Sequence, residues 1–295
     1  IHAHSIHADR VAPYFEIRKM FECLDQPNTC ELSMFWGGIY PAAKSKQLRV
    51  LLDGDGGDEV VSRGTLRLAE LLSSFRWVEY ARTLTALSQN IHRSIGDLFL
   101  SQSLRPLIPP GFLRVWRLMR WGNRSLWFDR TLLNPRFVNR MRLKEKEACQ
   151  VTIETRPFRT VKEQHLHELS FGANAYAFEA VYPAAASFGI EHRYPFYDRR
   201  LAEFCLSLPS DQKLYRGWTK IVMRRALRNF LPEKVCWRGG KTYLSDDFTY
   251  RLSRFEKEAI DRVISQDPSR IEPYYNIEAL RRLYQLFLAK PRYES

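Results

Sequence analysis

The chain has 295 residues, 45% of them hydrophobic and 13% aromatic, which is enough to bury a core and fill about one or two domains. No apolar run reaches the roughly 18 residues that a membrane span needs, and no charged-then-apolar stretch resembles a signal peptide. The net charge of +13 suits nucleic acid, anionic lipid or phosphorylated substrates, and by itself does not choose among them.

The chain opens on Ile1 instead of Met, so a longer protein that continues upstream is expected. From residue 1 to about Lys46, turn residues (Asp25, Gln26, Pro27, Asn28) alternate with short periodic runs such as Ile17, Met20, Phe21 and Leu24. This pattern predicts short helices packed on something larger. Leu48 to Leu52 is a short aliphatic run with the length and continuity of a buried strand in a parallel sheet. Asp53-Gly54-Asp55-Gly56-Gly57-Asp58-Glu59 follows at once, and then a long helical period through Leu66, Leu68, Ala69, Leu72, Phe75, Val78, Leu84 and Leu87. Strand, Gly-rich turn and helix is an arrangement that places phosphates in an α/β sheet.

Beyond residue 60 no further strand alternation stands out, and helical spacing dominates, as in Ala175, Phe178, Glu179 and Tyr182 or Leu280, Leu283, Tyr284 and Phe287. Pro135 and Pro157 bracket a short helix from Phe137 to Glu147. Between residues 105 and 127, Arg105, Arg114, Arg117, Arg120 and Arg124 interleave with Phe112, Val115, Trp116, Leu118, Trp121 and Trp127. That stretch reads as a helix with its aromatic side on the core and solvated arginines; contact with an anionic membrane is the other reading. No nucleic-acid-binding fold accompanies the charge, so no specific nucleic-acid partner is expected.

The five cysteines (Cys23, Cys30, Cys149, Cys205, Cys236) form no C-x-x-C pair, which points away from a zinc site or a disulfide framework and toward a reducing, cytoplasmic setting. Cys205, between Phe204 and Leu206, reads as a small buried hydrophobe. His2, His4 and His7 have metal-ligand spacing at a chain end that is poorly preorganised. His165 and His167 lack the Glu partner of an H-E-x-x-H motif and read as structural or surface residues.

The acidic loop carries the chemistry. Its glycines allow close backbone approach to an anion, but its carboxylates would repel bare phosphate, and Gly-Lys-[Ser/Thr] is absent. Carboxylates beside a phosphate cradle make sense with a bridging Mg²⁺; the alternative is a solvated acidic turn. Further along come Glu191-His192-Arg193-Tyr194-Pro195-Phe196-Tyr197-Asp198, then Lys220 to Arg224, Leu231-Pro232, and Arg238-Gly239-Gly240-Lys241.

In that order these pieces resemble the C-terminal half of the asparagine synthetase family, with its Ser-Gly-x-Gly-x-Asp-Glu, Glu-x-Arg-x-Pro-Phe-x-Asp, Lys-x-x-x-Arg, Leu-Pro and Arg-x-Lys pattern; the resemblance spans roughly residues 25 to 248. It implies the edge of a parallel α/β sheet, adenine nucleotide alpha hydrolase-like, followed by a mainly α-helical half, in a truncated domain. Residues 1–75 would be the C-terminal part of the nucleotide-binding core and 76–295 the helical part. It implies ATP and Mg²⁺, with Asp58 at the metal and Asp53, Gly54, Gly56 and Gly57 against the nucleotide. Asp55 and Glu191 would take the acid–base positions, and Lys220 and Lys241 would face the α-phosphate.

The implied reaction is adenylation of a carboxylate (aspartate, or an amino-acid or peptide carboxylate) followed by amide formation, with ammonia from an N-terminal glutaminase domain. Macrolactam-forming peptide cyclases and β-lactam synthetases are the close alternative, and a non-catalytic scaffold the distant one. Three departures from the pattern stand out. No Ser-Gly-Gly-x-Asp-Ser loop occurs, and it is expected upstream together with the glutaminase domain; Asp55 replaces Glu; and Arg238 to Lys241 holds one extra residue.

Overall fold

The computed structural model describes residues 3–14, 16–24, 32–109, 111–112, 132–146, 158–240 and 245–289. Lys241, His2, Cys30, Cys149 and most of the basic stretch, residues 113–127, lie outside them. The described chain is mostly helical, with one parallel and one antiparallel pair of short strands.

The first helix, α1 (Ile17–Leu24), buries Met20 and Leu24, four residues apart on one face. Helix α2 (Tyr40–Ser45) buries Tyr40 and Ala43 and leads into strand β1 (Val50–Leu52). After the acidic loop come the short α3 (Gly57–Val61), α4 (Arg67–Ser73) and α5 (Trp77–Ile91), so the single long period read from the sequence is broken at Ser74 to Arg76. Of the helix expected from Phe137 to Glu147, only a shorter one forms, Pro135–Arg140, started by the Asn134 side chain and ended by a turn at Met141 and Arg142.

Helix α6 (Val161–Ser170) begins at Thr160, whose hydroxyl accepts the Glu163 N–H at 3.1 Å, while the Glu163 carboxylate accepts the Arg159 N–H at 2.9 Å. Helix α7 (Gly172–Ser187) carries Pro183 inside it, so the Glu179 carbonyl, four residues earlier, receives no N–H from that position. Strand β2 (Glu191–Arg193) follows, and then α8 (Arg199–Ser207), capped by the Asp198 carboxylate on the Arg200 N–H at 2.9 Å. Strands β3 (Leu214–Tyr215) and β4 (Trp218–Thr219) make a tight hairpin before α9 (Ile221–Ala226), and α10 (Ile277–Ala289) is the last described helix.

Strands β1 and β2 are parallel, with Val50 opposite Glu191, Leu51 opposite His192 and Leu52 opposite Arg193. This corrects the expectation of no strand beyond residue 60: Glu191-His192-Arg193 has no apolar alternation, and its pairing is decided by β1. It also joins residues from both sides of residue 75 in one sheet. Leu51 and His192 face inward onto α1, α2 and α7, where Met20, Leu24, Trp36, Tyr40, Ala180, Ala184 and Ile190 form a buried cluster. The run read as fully buried is covered on that face alone: Val50 is 40% and Leu52 67% exposed. A second cluster joins α4, α5 and β3 through Leu68, Leu71, Leu84, Leu87 and Leu214.

Candidate functional site

The loop leaves the C-terminal end of β1, where the Asp53 N–H still bonds the Arg193 carbonyl at 2.9 Å. The Asp55 N–H returns to Asp53 Oδ1 at 3.1 Å, closing an Asx-type turn that fixes the loop start. Gly56 then adopts a left-handed φ of 89°, and a Cβ there would sit 2.2 Å from the Tyr197 ring. The Tyr194 to Tyr197 segment packs directly on the loop, so Gly56 is required by that aromatic contact. Space is open at Gly54, where a Cβ would meet nothing within 4 Å. Of the loop glycines read as nucleotide contacts, Gly54 offers open approach, whereas Gly56 and Gly57 are covered by Tyr197 and Phe196.

Helix α3 is held from behind. His165 is fully buried, and its Nε2 lies 2.9 Å from the Val60 carbonyl, while Lys213 Nζ lies 2.9 Å from its Nδ1. Lys213 donates, so Nδ1 accepts and Nε2 carries the proton given to Val60. Burial, reinforced by the neighbouring Lys213 charge, holds the His165 pKa below its ordinary value, and burial pushes Lys213 down too.

Asp58 lies at the centre of the charged part of the site. Its Oδ1 accepts from Lys220 Nζ, and its Oδ2 accepts from Arg63 at 2.6 Å. Burial pushes its carboxyl up, but the hydrogen bonds from Lys220 and Arg63 outweigh that and hold it well below the usual carboxylate range. Lys220 itself has a positive φ of 53°, an uncommon conformation for a non-glycine residue, at the start of α9. The structure therefore brings together Asp58 and Lys220, two of the residues selected from sequence, and adds Arg63, which was not selected.

Asp53 turns the other way. Its Oδ2 lies 3.0 Å from the buried His192 Nε2, and His192 Nδ1 lies 3.4 Å from the buried Tyr40 hydroxyl. A hydroxyl donating to Nδ1 leaves Nε2–H on the side of the carboxylate, at the ion-pair distance of 3.0 Å. The bond to His192 holds the Asp53 carboxyl below its ordinary range. Glu191 opens β2 on the exposed outer face and takes two hydrogen bonds from Arg193, at 2.8 and 3.0 Å, which lower its carboxyl pKa. In this register it lies opposite Val50, and the residue that β2 directs at the loop is His192.

Arg224 ties the segment after Lys220 together. Its guanidinium donates to the carbonyls of Thr219 (2.8 Å), Cys236 (2.6 Å) and Arg238 (3.1 Å), and lies 5.0 Å from the Trp218 ring centroid. Gly239 is pressed against the end of α5, where a Cβ would come within 1.6 Å of the Asn90 carbonyl oxygen. The extra residue between Arg238 and Lys241 thus has a packing reason for being glycine.

No cluster of three or more His, Cys, Asp or Glu side chains is placed to hold a metal ion among the described residues. Mg²⁺ is commonly held by one or two carboxylates together with substrate phosphates; Asp58 is part-exposed, but both its oxygens are taken by Lys220 and Arg63, so a metal would have to replace one of them. His192 carries no strand signal in the sequence, since β2 forms only by pairing with β1. Arg63 and Lys213 carry no local signal, since their partners come from the tertiary fold.

With this geometry in place, the wider likeness of the chain is informative. Residues 2–295 match the family model described as asparagine synthase, and the chain belongs to that family, whose members carry out ATP-dependent amide ligation. No curated protein and no solved structure matches the chain. Among the described residues, no helix is long and apolar enough to cross a membrane.

Proposed function

We propose that the protein activates a carboxylate with ATP as an acyl-adenylate and passes the acyl group to a nitrogen nucleophile. The observation that supports this most is the contact of Lys220 with Asp58, which unites the acidic loop with the Lys-x-x-x-Arg motif across 162 residues. The parallel pair β1–β2 is read as the edge of an adenine nucleotide alpha hydrolase-like core, with the site at the C-terminal ends of its strands.

In the first step a substrate carboxylate oxygen attacks the α-phosphorus and pyrophosphate leaves. In the second, nitrogen attacks the acyl carbon, AMP leaves, and nitrogen gives up a proton. Bound Mg²⁺ would neutralise the growing charge on the pyrophosphate. Asp58 would hold it, and Lys220 would present its ammonium to the α-phosphate, with Lys241 in the matching role. Asp53 fixes the loop through His192, the open backbone at Gly54 lies against the nucleotide, and Gly56 and Gly57 shape the turn. The exposed Asp55 accepts the proton in the second step, and Glu191, once released from Arg193, assists it. Ammonia from a glutaminase unit or an amine on the substrate itself would serve as nucleophile.

Exchange of labelled pyrophosphate into ATP, measured on the full-length protein with a panel of amino-acid and peptide carboxylates, tests this reading. Carboxylate-dependent exchange with AMP as product supports it; ADP formation, or no exchange with any carboxylate, overturns it.

A further inference from the structure

Part of the +13 net charge is concentrated on one stretch of chain. From Lys213 to Pro232 the sequence holds six basic residues and no Asp or Glu. Three of the six are committed inside the fold: Lys213 to His165, Lys220 to Asp58, and Arg224 to the carbonyls of Thr219, Cys236 and Arg238. The other three, Arg216, Arg225 and Arg228, are exposed. Arg216 and Arg225 both lie by the Tyr215 ring, 5.3 and 5.2 Å from its centroid, and Arg225 donates to the neutral Gln212 side chain at 3.1 Å. A ring and an amide hold the guanidinium groups in place without neutralising them.

An apolar tip follows at once. Beyond α9 the chain winds on through tight turns: the N–H groups of Phe230 and Leu231 both bond the Leu227 carbonyl at 3.0 Å, and the Val235 N–H bonds the Pro232 carbonyl at 3.0 Å. Phe230 is 81%, Val235 58% and Leu231 38% exposed, so large apolar side chains project from a hydrogen-bonded backbone. Lys234 is exposed beside them, with Glu233 the one carboxylate of the tip.

Apolar side chains flanked by Arg and Lys suit an anionic lipid surface, where rings sink below the headgroups and cations stay among them. A single-stranded nucleic acid needs free aromatic faces, and the Tyr215 and Trp218 rings are already taken by Arg216, Arg225 and Arg224. An acidic peptide would pair with the cations but leaves Phe230 without a role.

We propose that the tip from Arg225 to Val235, with Arg216 beside it, docks the protein on an anionic membrane surface. Phe230 enters the boundary between headgroups and acyl chains, and Arg216, Arg225 and Arg228 meet the lipid phosphates. The tip follows the C-terminal end of α9, whose start carries Lys220, so docking leaves the contact with Asp58 at the other end of the helix. The proposal stands independently of the adenylation reading.

Co-sedimentation of the full-length protein with phosphatidylcholine vesicles, with and without phosphatidylserine, tests it. Binding should be about tenfold or more stronger with phosphatidylserine present, and added salt should release the protein. Phe230→Ser should weaken binding about tenfold, and Arg225→Gln and Arg228→Gln about fivefold each. All three side chains are exposed, so circular dichroism should not change. Equal binding to both kinds of vesicle, or none to either, would overturn the proposal. Binding that no variant weakens would also overturn it, because the contact would then lie elsewhere, as in residues 113–127. Tighter binding of RNA or polyglutamate than of the vesicles would replace the lipid with another polyanion and equally end the proposal.

Discussion

Lys220 Nζ donates to Asp58 Oδ1 across 162 residues of chain, while Arg63 holds the other oxygen of the same carboxylate. The triad is partly solvated, with the Asp58 side chain 36% exposed, so removing one cation costs little: Lys220→Met should lower stability by about 1 kcal/mol or less. Its pH dependence has a definite sign. The folded carboxyl is held below its ordinary 3.8, so the unfolded chain takes up the proton first as pH falls. The pair stabilises fully above about pH 4, and its contribution declines below that. Urea unfolding at pH 7 and pH 3 should show a gap between wild type and Lys220→Met that narrows in acid.

His165 gives a second pH dependence, nearer neutrality. Its folded pKa lies below 6.5, so the unfolded chain binds a proton that the folded chain refuses as pH drops through that value. Stability is full above about pH 6.5 and falls below it, by at most about 1.4 kcal/mol per pH unit for this single proton. His165→Asn should flatten the slope of urea midpoints between pH 7.5 and 5. His165→Ala should cost about 2–4 kcal/mol, because it leaves a cavity and strands the buried Lys213.

At Gly56 a side chain meets both a left-handed backbone and the Tyr197 ring. The backbone alone makes Gly56→Ala unfavourable by about 1–2 kcal/mol. Pairing it with Tyr197→Ala should recover part of the loss in thermal unfolding if the ring contact is the cause.

Arg224 donates to three carbonyls in a forked geometry that lysine cannot reproduce. Arg224→Lys should therefore behave as a near-complete loss. Pyrophosphate exchange should fall by about tenfold or more, since the Cys236–Arg238 segment is no longer tied to the start of α9. Hydrogen exchange should show the same segment opening.

Much of this organisation was legible in the sequence, for reasons that can be named. Leu48 to Leu52 announced a strand because aliphatic continuity is a local property, and the loop after it announced itself by composition. Helix α6 offered one local signal, its Thr160 and Glu163 cap. Strand β2 could not: Glu191-His192-Arg193 becomes a strand only by pairing with Val50–Leu52, and neither segment encodes its partner. The glycines misled in part, since a glycine that lets a phosphate approach and one that lets Tyr197 approach look the same in a string of letters. Cys205 was read as a small buried hydrophobe and His165 as structural or surface, and both are buried. The Lys213 beneath α3 and the Arg63 on Asp58 are products of tertiary packing, which leaves no periodic trace. Lys241 and residues 113–127 of the arginine-rich segment lie outside the described residues.

The central claim is that Asp58 and Lys220 act as one unit on the phosphates of ATP, and a double-mutant cycle tests it most directly. Labelled pyrophosphate exchange would be measured on full-length wild type, Asp58→Asn, Lys220→Met and the double variant. Each single change should slow exchange by about a hundredfold or more, and the double should be little slower than the slower single. Losses that simply multiply would mean that the two residues act apart, and exchange left intact in either single variant would contradict the account.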